Sequence, residues 1–303
     1  MTTPAPTRAE RAADLGFAAA WRLVRLLPEP LARAAFRAGA DLAVRRDGAG
    51  IRRLRGHLAR VAPGADTHAL VRDGMRSYAR YWCEAFRLPA MDPFDVQRRM
   101  DPHMEGAEAL RASIAEGRGV VVALPHSGNW DVAGLWMVEE MRRQGRPAAI
   151  TTVVERLRPE PLFRRFVEYR ERLGFEVVAA DDGRAAHRAL TNRLRSGGVV
   201  CLVADRDLTG AGVDVTFFGE RVRMPAGPAQ LAALTGAALH PAFCTFTPDA
   251  WGAHVLPAVP VPDRAAVPKA TQQVAEAFEQ LIRRAPADWH MLQELTPARR
   301  RAS

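Results

Sequence analysis

ALPHSGNWDVAG, Ala123 to Gly134, decides how the chain is read, because a histidine stands there where one kind of structure gives way to another. It follows the apolar run GVVV, Gly119 to Val122, which reads as a buried strand; Pro125 and Ser127-Gly128-Asn129 break it. Trp130 to Val138 then carries apolar residues at helical spacing. Open α/β sheets bind ligands at the carboxyl ends of their strands, and His126 falls at such an end. Asp131, in the first helical turn, is placed to accept a hydrogen bond from one ring nitrogen of His126. Such a bond fixes the tautomer and raises the basicity of the other nitrogen, which can take a proton from a hydroxyl. The N–H groups of the helix start suit a phosphate or a developing oxyanion. A structural hydrogen bond in a loop explains the pair equally well.

Outward from that segment, strand-like runs at 119–124, 147–154, 175–180, 198–204, 213–218, 237–246 and 253–259 alternate with helical patterns. The helices fall near 130–143, 159–173, 184–196 and 226–235, and several end at a glycine such as Gly174, Gly197 or Gly236. A last helix is expected over 264–284, before Trp289. The alternation predicts an α/β fold: a mostly parallel central sheet of about seven strands covered by helices on both faces. The first hundred residues read as helices, with Val71, Met75, Tyr78, Trp82 and Ala85 marking one buried face. The whole chain reads as one domain: an amphipathic segment over 1–45, a helical part over 46–110 and an α/β core over 111–303.

From Arg11 to Leu27, helical angles put Arg11, Asp14, Arg22 and Arg25 in one strip. Phe17, Trp21, Leu23, Val24, Leu26 and Leu27 fill the remaining arc, the pattern of a helix lying at a membrane interface or docked on the domain. MTTPAPTRAERAAD is polar and predicts no signal peptide, and no apolar run is long enough to span a bilayer.

The net charge of +9 comes almost wholly from arginine, since Lys269 is the only lysine. That balance suits anionic partners, of which phospholipid headgroups fit better than nucleic acid, because no nucleic-acid module is visible. Cys83, Cys201 and Cys244 show neither disulfide nor metal spacing. No GxSxG elbow and no Gly-rich nucleotide loop occurs, so an acyl-enzyme route has no visible nucleophile.

HSGNWD resembles the His-x4-Asp signature of the glycerolipid and lipid A acyltransferases. The resemblance continues in family order through VVERLRPEPLFRRF (Val153 to Phe166), VVCLVADRDLTGAGVDVTFFG (Val199 to Gly219), RMPAGPAQLAALTGAALHPAF (Arg223 to Phe243) and APADWHML (Ala285 to Leu292). Together these blocks look like those of the phosphatidylinositol mannoside acyltransferases, which acylate a mannose hydroxyl of an inositol glycolipid. The resemblance implies a glycerol-3-phosphate acyltransferase-like fold with an N-terminal helical segment. It implies acyl transfer, of palmitoyl above all, from acyl-CoA as co-substrate, with no cofactor and no metal. His126 is then the base that deprotonates the acceptor hydroxyl, with Asp131 in its signature place. Asp205 stands where the family carries a glutamate that supports the histidine, one methylene shorter. Glu155 and Arg156 are expected to line the same cleft, with Arg206 meeting an anionic group of donor or acceptor. Arg164 and Arg165 are expected to meet coenzyme A phosphates, and Trp289 to pack under the site. The expected partners are the donor, a glycolipid acceptor and an anionic membrane surface, with the protein peripheral, monomeric and on the cytoplasmic face of the inner membrane. A lipid A-type acyltransferase, a metal-dependent phosphoesterase built on His126, Asp131, Asp205 and Asp207, and an inactive membrane-binding relative stay open as alternatives.

Overall fold

Every residue of the strand β2, Val120–Leu124, is apolar and buried, because helices cover both sides of it. A computed structural model describes residues 21–156, 160–207 and 210–296. The other strands of the central sheet are β1 (Met104–Glu105), β3 (Ile150–Val154), β4 (Phe175–Ala179), β5 (Val199–Val203), β8 (Ala238–Phe246) and β9 (Trp251–Val255). Their spatial order is β1-β9-β8-β2-β5-β3-β4, parallel throughout except for the antiparallel β8–β9 pair. A mostly parallel seven-stranded α/β sheet is therefore present, as the alternation predicts.

The two faces can be followed through alternate residues of β2. Val121 and Ala123 join Leu190 and Leu194 of one helix (α8, Arg184–Arg195) and Phe278 of another (α10, Val267–Arg284). Val120, Val122 and Leu124 join Leu110 and Ile114 of α5 (Ala107–Glu116) and Leu135 of α6 (Trp130–Arg143). Phe166 of α7 (Glu160–Arg172) belongs to that second face, and α9 (Gly227–Thr235) to the first.

Before the sheet lie α1 (Glu29–Arg46), α2 (Ala49–Val61), α3 (Thr67–Arg87) and α4 (Pro93–Met100). Asp66 caps α3 by accepting the N–H groups of His68 and Ala69. Of the face expected along α3, Val71, Met75 and Ala85 are buried, while Tyr78 and Trp82 are only half-buried and border a cleft.

Two expectations change. The run at 213–218 does not enter the central sheet: Val213–Phe217 (β6) forms an antiparallel hairpin with Glu220–Met224 (β7), and β1 completes the seven strands instead. Phe218 and Gly219 turn the hairpin with φ of 48° and 79°, a two-residue turn of the kind that matches strand twist. The second change concerns the amphipathic segment, whose residues up to 20 lie outside the described ones. Trp21 belongs to the docked side: its Nε1 donates to the Phe86 carbonyl at 3.0 Å, and its ring meets those of Phe86, Phe166 and Tyr169. Between residues 21 and 27, Leu23 and Leu26 are the exposed apolar residues, 59% and 76% accessible.

The loop between β2 and α6 lies flat on β8, and Gly128 makes this possible. Its φ is 49°, and a Cβ there would stand 2.6 Å from the carbonyl carbon and oxygen of Cys244. Gly128→Ala must move backbone against backbone and hold a side chain in the left-handed region. Thermal unfolding should show a loss of about 2–3 kcal/mol for this variant; a midpoint like that of the parent would contradict the crowding described.

Candidate active site

Parallel pairing of β2 with β5 aligns Leu124 with Val203, so the chain leaves both strands side by side. His126 and Asp205, two residues beyond those ends, thereby come together. The Nδ1–H of His126 donates to Asp205 Oδ1 at 2.6 Å, and the His126 backbone N–H donates to Oδ2 at 2.9 Å. Trp289 Nε1 adds a third bond to Oδ2 at 3.0 Å. Burial of Asp205 opposes its ionisation, yet the attraction of His126 and these three donors hold the carboxyl below the usual carboxylate range. His126 itself is a third exposed, and its Nε2 has no hydrogen-bond partner among the described residues.

The hydrogen bond expected between His126 and Asp131 is absent. The His126 ring turns toward β5, whereas the first turn of α6 directs Asp131 toward α3 and α7. There Asp131 accepts Arg170 Nε at 2.8 Å, Arg170 Nη2 at 3.2 Å and the Tyr81 hydroxyl at 3.1 Å. Burial and the Asp131 charge push the Tyr81 phenol up, so it remains a neutral donor. The N–H groups expected to be open at the helix start are partly used: those of His126, Gly128 and Val132 are bonded to Asp205, Asp288 and Asn129.

Glu84, on α3 and buried, fastens this loop. It accepts Asn129 Nδ2 at 2.9 Å, Trp251 Nε1 at 2.6 Å and Arg80 Nε at 2.7 Å. A carboxylate so buried needs several donors, and it ties the histidine loop to both α3 and β9.

His126 opens into a cleft of about 370 Å³. Tyr78, Tyr81, Trp82 and Trp130 make an aromatic wall, and Arg170, Glu155 and Arg206 bring charge. Arg206 pairs with Glu155 at 2.7 Å rather than with Asp205 or Asp207. Glu155 and Arg206 both line the cleft.

Arg156 does not line it: it turns outward to Asp181, Glu160 and Asp182. Arg164 is exposed, and Arg165 borders a separate surface groove with Trp21, Arg22 and Arg25. The register of α7 explains the difference. Phe163, Phe166 and Arg170 share its inner stripe, so Arg170 is the arginine of that helix that reaches the cleft. Trp289 is buried behind Asp205, packed under the site.

Beneath the cleft an apolar slot runs between α6 and the sheet. Val122, Leu124, Ala133, Met137 and Cys201 are among its walls, and Trp130, Val153, Arg170 and Val203 border slot and cleft together. Burial pushes the thiols of Cys201 and Cys244, both on the slot, up to about 12, which leaves them protonated and unreactive. Among the described residues, no group of three or more His, Cys, Asp or Glu is arranged to hold a metal ion. The four residues of the phosphoesterase alternative do not converge.

One cluster at the site was not anticipated. Ser77 Oγ lies 2.6 Å from Asp288 Oδ1 and 2.8 Å from His290 Nε2, and the His290 N–H donates to the His126 carbonyl at 2.7 Å. The sequence signal was the polar pair flanking Trp289 in an otherwise apolar closing block.

The model of the family of bacterial lipid A biosynthesis acyltransferases matches residues 9–296. A phosphatidylinositol mannoside acyltransferase of Mycolicibacterium smegmatis is 50% identical over 284 residues, covering 92% of this chain and 90% of its own length. Its namesake in Mycobacterium tuberculosis (strain H37Rv) is 48% identical over 288 residues, with 93% and 88% covered. On matches of that extent, the chain belongs to the family of bacterial lipid A biosynthesis acyltransferases.

Proposed function

We propose that the protein moves a fatty acyl chain, palmitoyl, from acyl-CoA to a mannose hydroxyl of a phosphatidylinositol mannoside, with His126 as general base. The acceptor class is taken from the relatives' names, and the observation that carries the mechanism is the His126–Asp205 pair. Asp205 accepts the Nδ1 proton, so the free Nε2 carries the lone pair that takes the hydroxyl proton. The resulting alkoxide attacks the thioester carbonyl. The imidazolium is stabilised by the buried carboxylate and then returns its proton to the departing thiolate as the tetrahedral intermediate collapses. N–H groups of Trp130 and Asp131, which have no intrahelical acceptor in the first turn of α6, favour the oxyanion. The thioester is already activated, so no covalent enzyme intermediate is required.

The acyl chain is assigned to the apolar slot, which meets the cleft at Trp130 and Val203 beside the histidine loop; at about 90 Å³ the slot is too small for a whole palmitoyl chain and must widen to admit it. Arg170, held by Asp131 at that junction, keeps the two spaces in register. Arg206 offers a cation to the phosphorylated donor or acceptor. The protein works peripherally on an anionic, cytoplasm-facing membrane surface: no described helix is long and apolar enough to cross a membrane, and Leu23 and Leu26 stand exposed beside Arg22 and Arg25.

His126→Ala should lower acyl transfer about 10²–10⁴-fold with the fold retained, and Asp205→Asn, which presents an amide N–H to Nδ1, should lower it comparably. Asp131→Asn should behave differently: it leaves Arg170 buried without its counter-charge, and denaturation should report a loss of about 3–5 kcal/mol. A folded His126→Ala enzyme with parental transfer rates would remove the base from the mechanism.

Ala133→Leu should narrow the slot and discriminate against palmitoyl-CoA relative to octanoyl-CoA. An unchanged ratio of kcat/KM for the two donors would place the chain elsewhere.

For the membrane, Leu23→Glu with Leu26→Glu, Arg22→Glu and Arg25→Glu should weaken co-sedimentation with phosphatidylinositol vesicles, each arginine being worth about 1 kcal/mol on an anionic surface. Undiminished binding would assign this stretch to packing alone.

A further inference from the structure

Asp207, two residues beyond the partner of the base, is buried and takes no part in the mechanism above. Its bonds belong to a closed ring of four. Asp207 Oδ2 accepts the Gly212 N–H at 2.8 Å, and the Gly212 carbonyl accepts Arg223 Nη2 at 2.9 Å. The Arg223 backbone N–H donates to the Thr296 carbonyl at 2.8 Å, and the Thr296 hydroxyl donates to the Asp207 carbonyl at 3.0 Å. A further bond runs from the Gly210 N–H to Asp207 Oδ1 at 3.1 Å. Only glycine fits at 212, since a side chain there would run into the Met224 carbonyl and the Asp207 carboxylate. The ring thus fastens three separate parts of the chain to one another: the exit of β5, the strand β7 that carries Arg223, and the closing stretch at Thr296.

Asp205 lies between two holds on its backbone. Before it, the Ala204 N–H donates to the Leu124 carbonyl at 2.8 Å and carries the pairing of β2 with β5 one residue further. After it comes the ring. An aspartate has one carbon between backbone and carboxyl, so its carboxylate goes where its backbone goes. The glutamate that the family resemblance puts at this place has one more torsion with which to correct a displaced backbone. A bond of 2.6 Å between Asp205 and His126 tolerates little displacement. We propose that the ring closed by Asp207 and Thr296 fixes the Asp205 backbone and thereby the distance from carboxylate to imidazole. Asp207 and Thr296 are positioning residues, acting through Asp205 without meeting substrate. The closing stretch holds Asp205 from two directions, since Trp289 bonds its carboxylate and Thr296 bonds the chain beyond it. In between, the stretch is fastened to α2: the Gln293 carbonyl accepts His57 Nε2–H at 2.9 Å, and Glu294 pairs with Arg53 at 3.1 Å. The inference rests on the reading of the His126–Asp205 pair given above.

The test measures kcat for palmitoyl transfer to a phosphatidylinositol mannoside acceptor, with KM for donor and acceptor and the thermal unfolding of each variant. Thr296→Val keeps the side-chain volume and removes the hydroxyl that closes the ring. Its kcat should fall about three- to fivefold, the worth of one hydrogen bond, with both KM values unchanged. Thr296→Ser, which keeps the hydroxyl, should retain the parental kcat. Asp207→Ala also frees the Gly210 and Gly212 N–H groups and should lower kcat by about tenfold or more. The deciding measurement repeats Thr296→Val in Asp205→Asn protein. No carboxylate is left there to position, so the second substitution should leave kcat where Asp205→Asn puts it. The same fold-loss in both backgrounds would show a contribution independent of Asp205 and overturn the proposal. An unchanged kcat in folded Thr296→Val, or a loss confined to KM, would overturn it as well. If Asp207→Ala does not fold, the two Thr296 variants decide. Failure of the base is read separately, from transfer by folded His126→Ala.

Discussion

The buried carboxylate of Asp205 is the constraint on which the rest of the site depends. Desolvating a charge is expensive, and the protein meets that cost with three hydrogen bonds, two from His126 and one from Trp289. Two of those donors belong to one residue, so the bond through the backbone N–H places the loop and the bond through Nδ1 orients the ring. Position and tautomer of the histidine are set by a single acceptor. That acceptor can stand there only because β2 and β5 are parallel neighbours in register, which makes the order of the sheet part of the site. Trp289 brings the end of the chain into the same arrangement, and with it His290 and Asp288.

Around this centre the polar interior is divided among carboxylates with separate duties. Asp205 serves the histidine, Asp131 holds Arg170 and Tyr81, Glu84 anchors the loop to α3 and β9, and Asp288 orients Ser77. Each accepts several donors, as a buried charge must. Asp131 therefore belongs to the wall between cleft and slot, on the far side of the loop from the imidazole.

The sheet was legible in the sequence because buried parallel strands are continuous apolar runs, and β2 and β5 are such runs. β7 was not legible: Glu220, Arg221 and Arg223 make ERVRM look like a solvated loop, and only the turn at Phe218-Gly219 betrays a hairpin. His126 was legible from its place at a strand end. Its partner was not legible from spacing, since Asp131 lies five residues away in sequence and Asp205 much further, while the distance that matters is set by strand pairing. The family resemblance pointed to Asp205, and the shorter side chain reaches His126 at 2.6 Å. Arg170 was open to a reading by register, because an arginine on the stripe of Phe163 and Phe166 must have a partner inside, yet the adjacent Arg164-Arg165 drew attention by charge alone.

The same distinction bears on the net charge of +9. Much of the arginine is spent inside the fold. Arg80 donates to the carbonyls of Thr247 and Ala250, Arg87 to those of Val24 and Leu27, and Arg146 to those of Ile114 and Ala115. A planar guanidinium with five donors can tie chain segments together in this way, which an ammonium does less well. A strongly basic composition is thus partly an architectural device, and it is a poor measure of how strongly the surface attracts anions. The attraction must be argued from where cations stand together at the surface. In the groove bordered by Arg22, Arg25, Arg165 and Arg172 they do so beside the exposed Leu26, and there charge and apolar surface coincide as an interface with lipid requires.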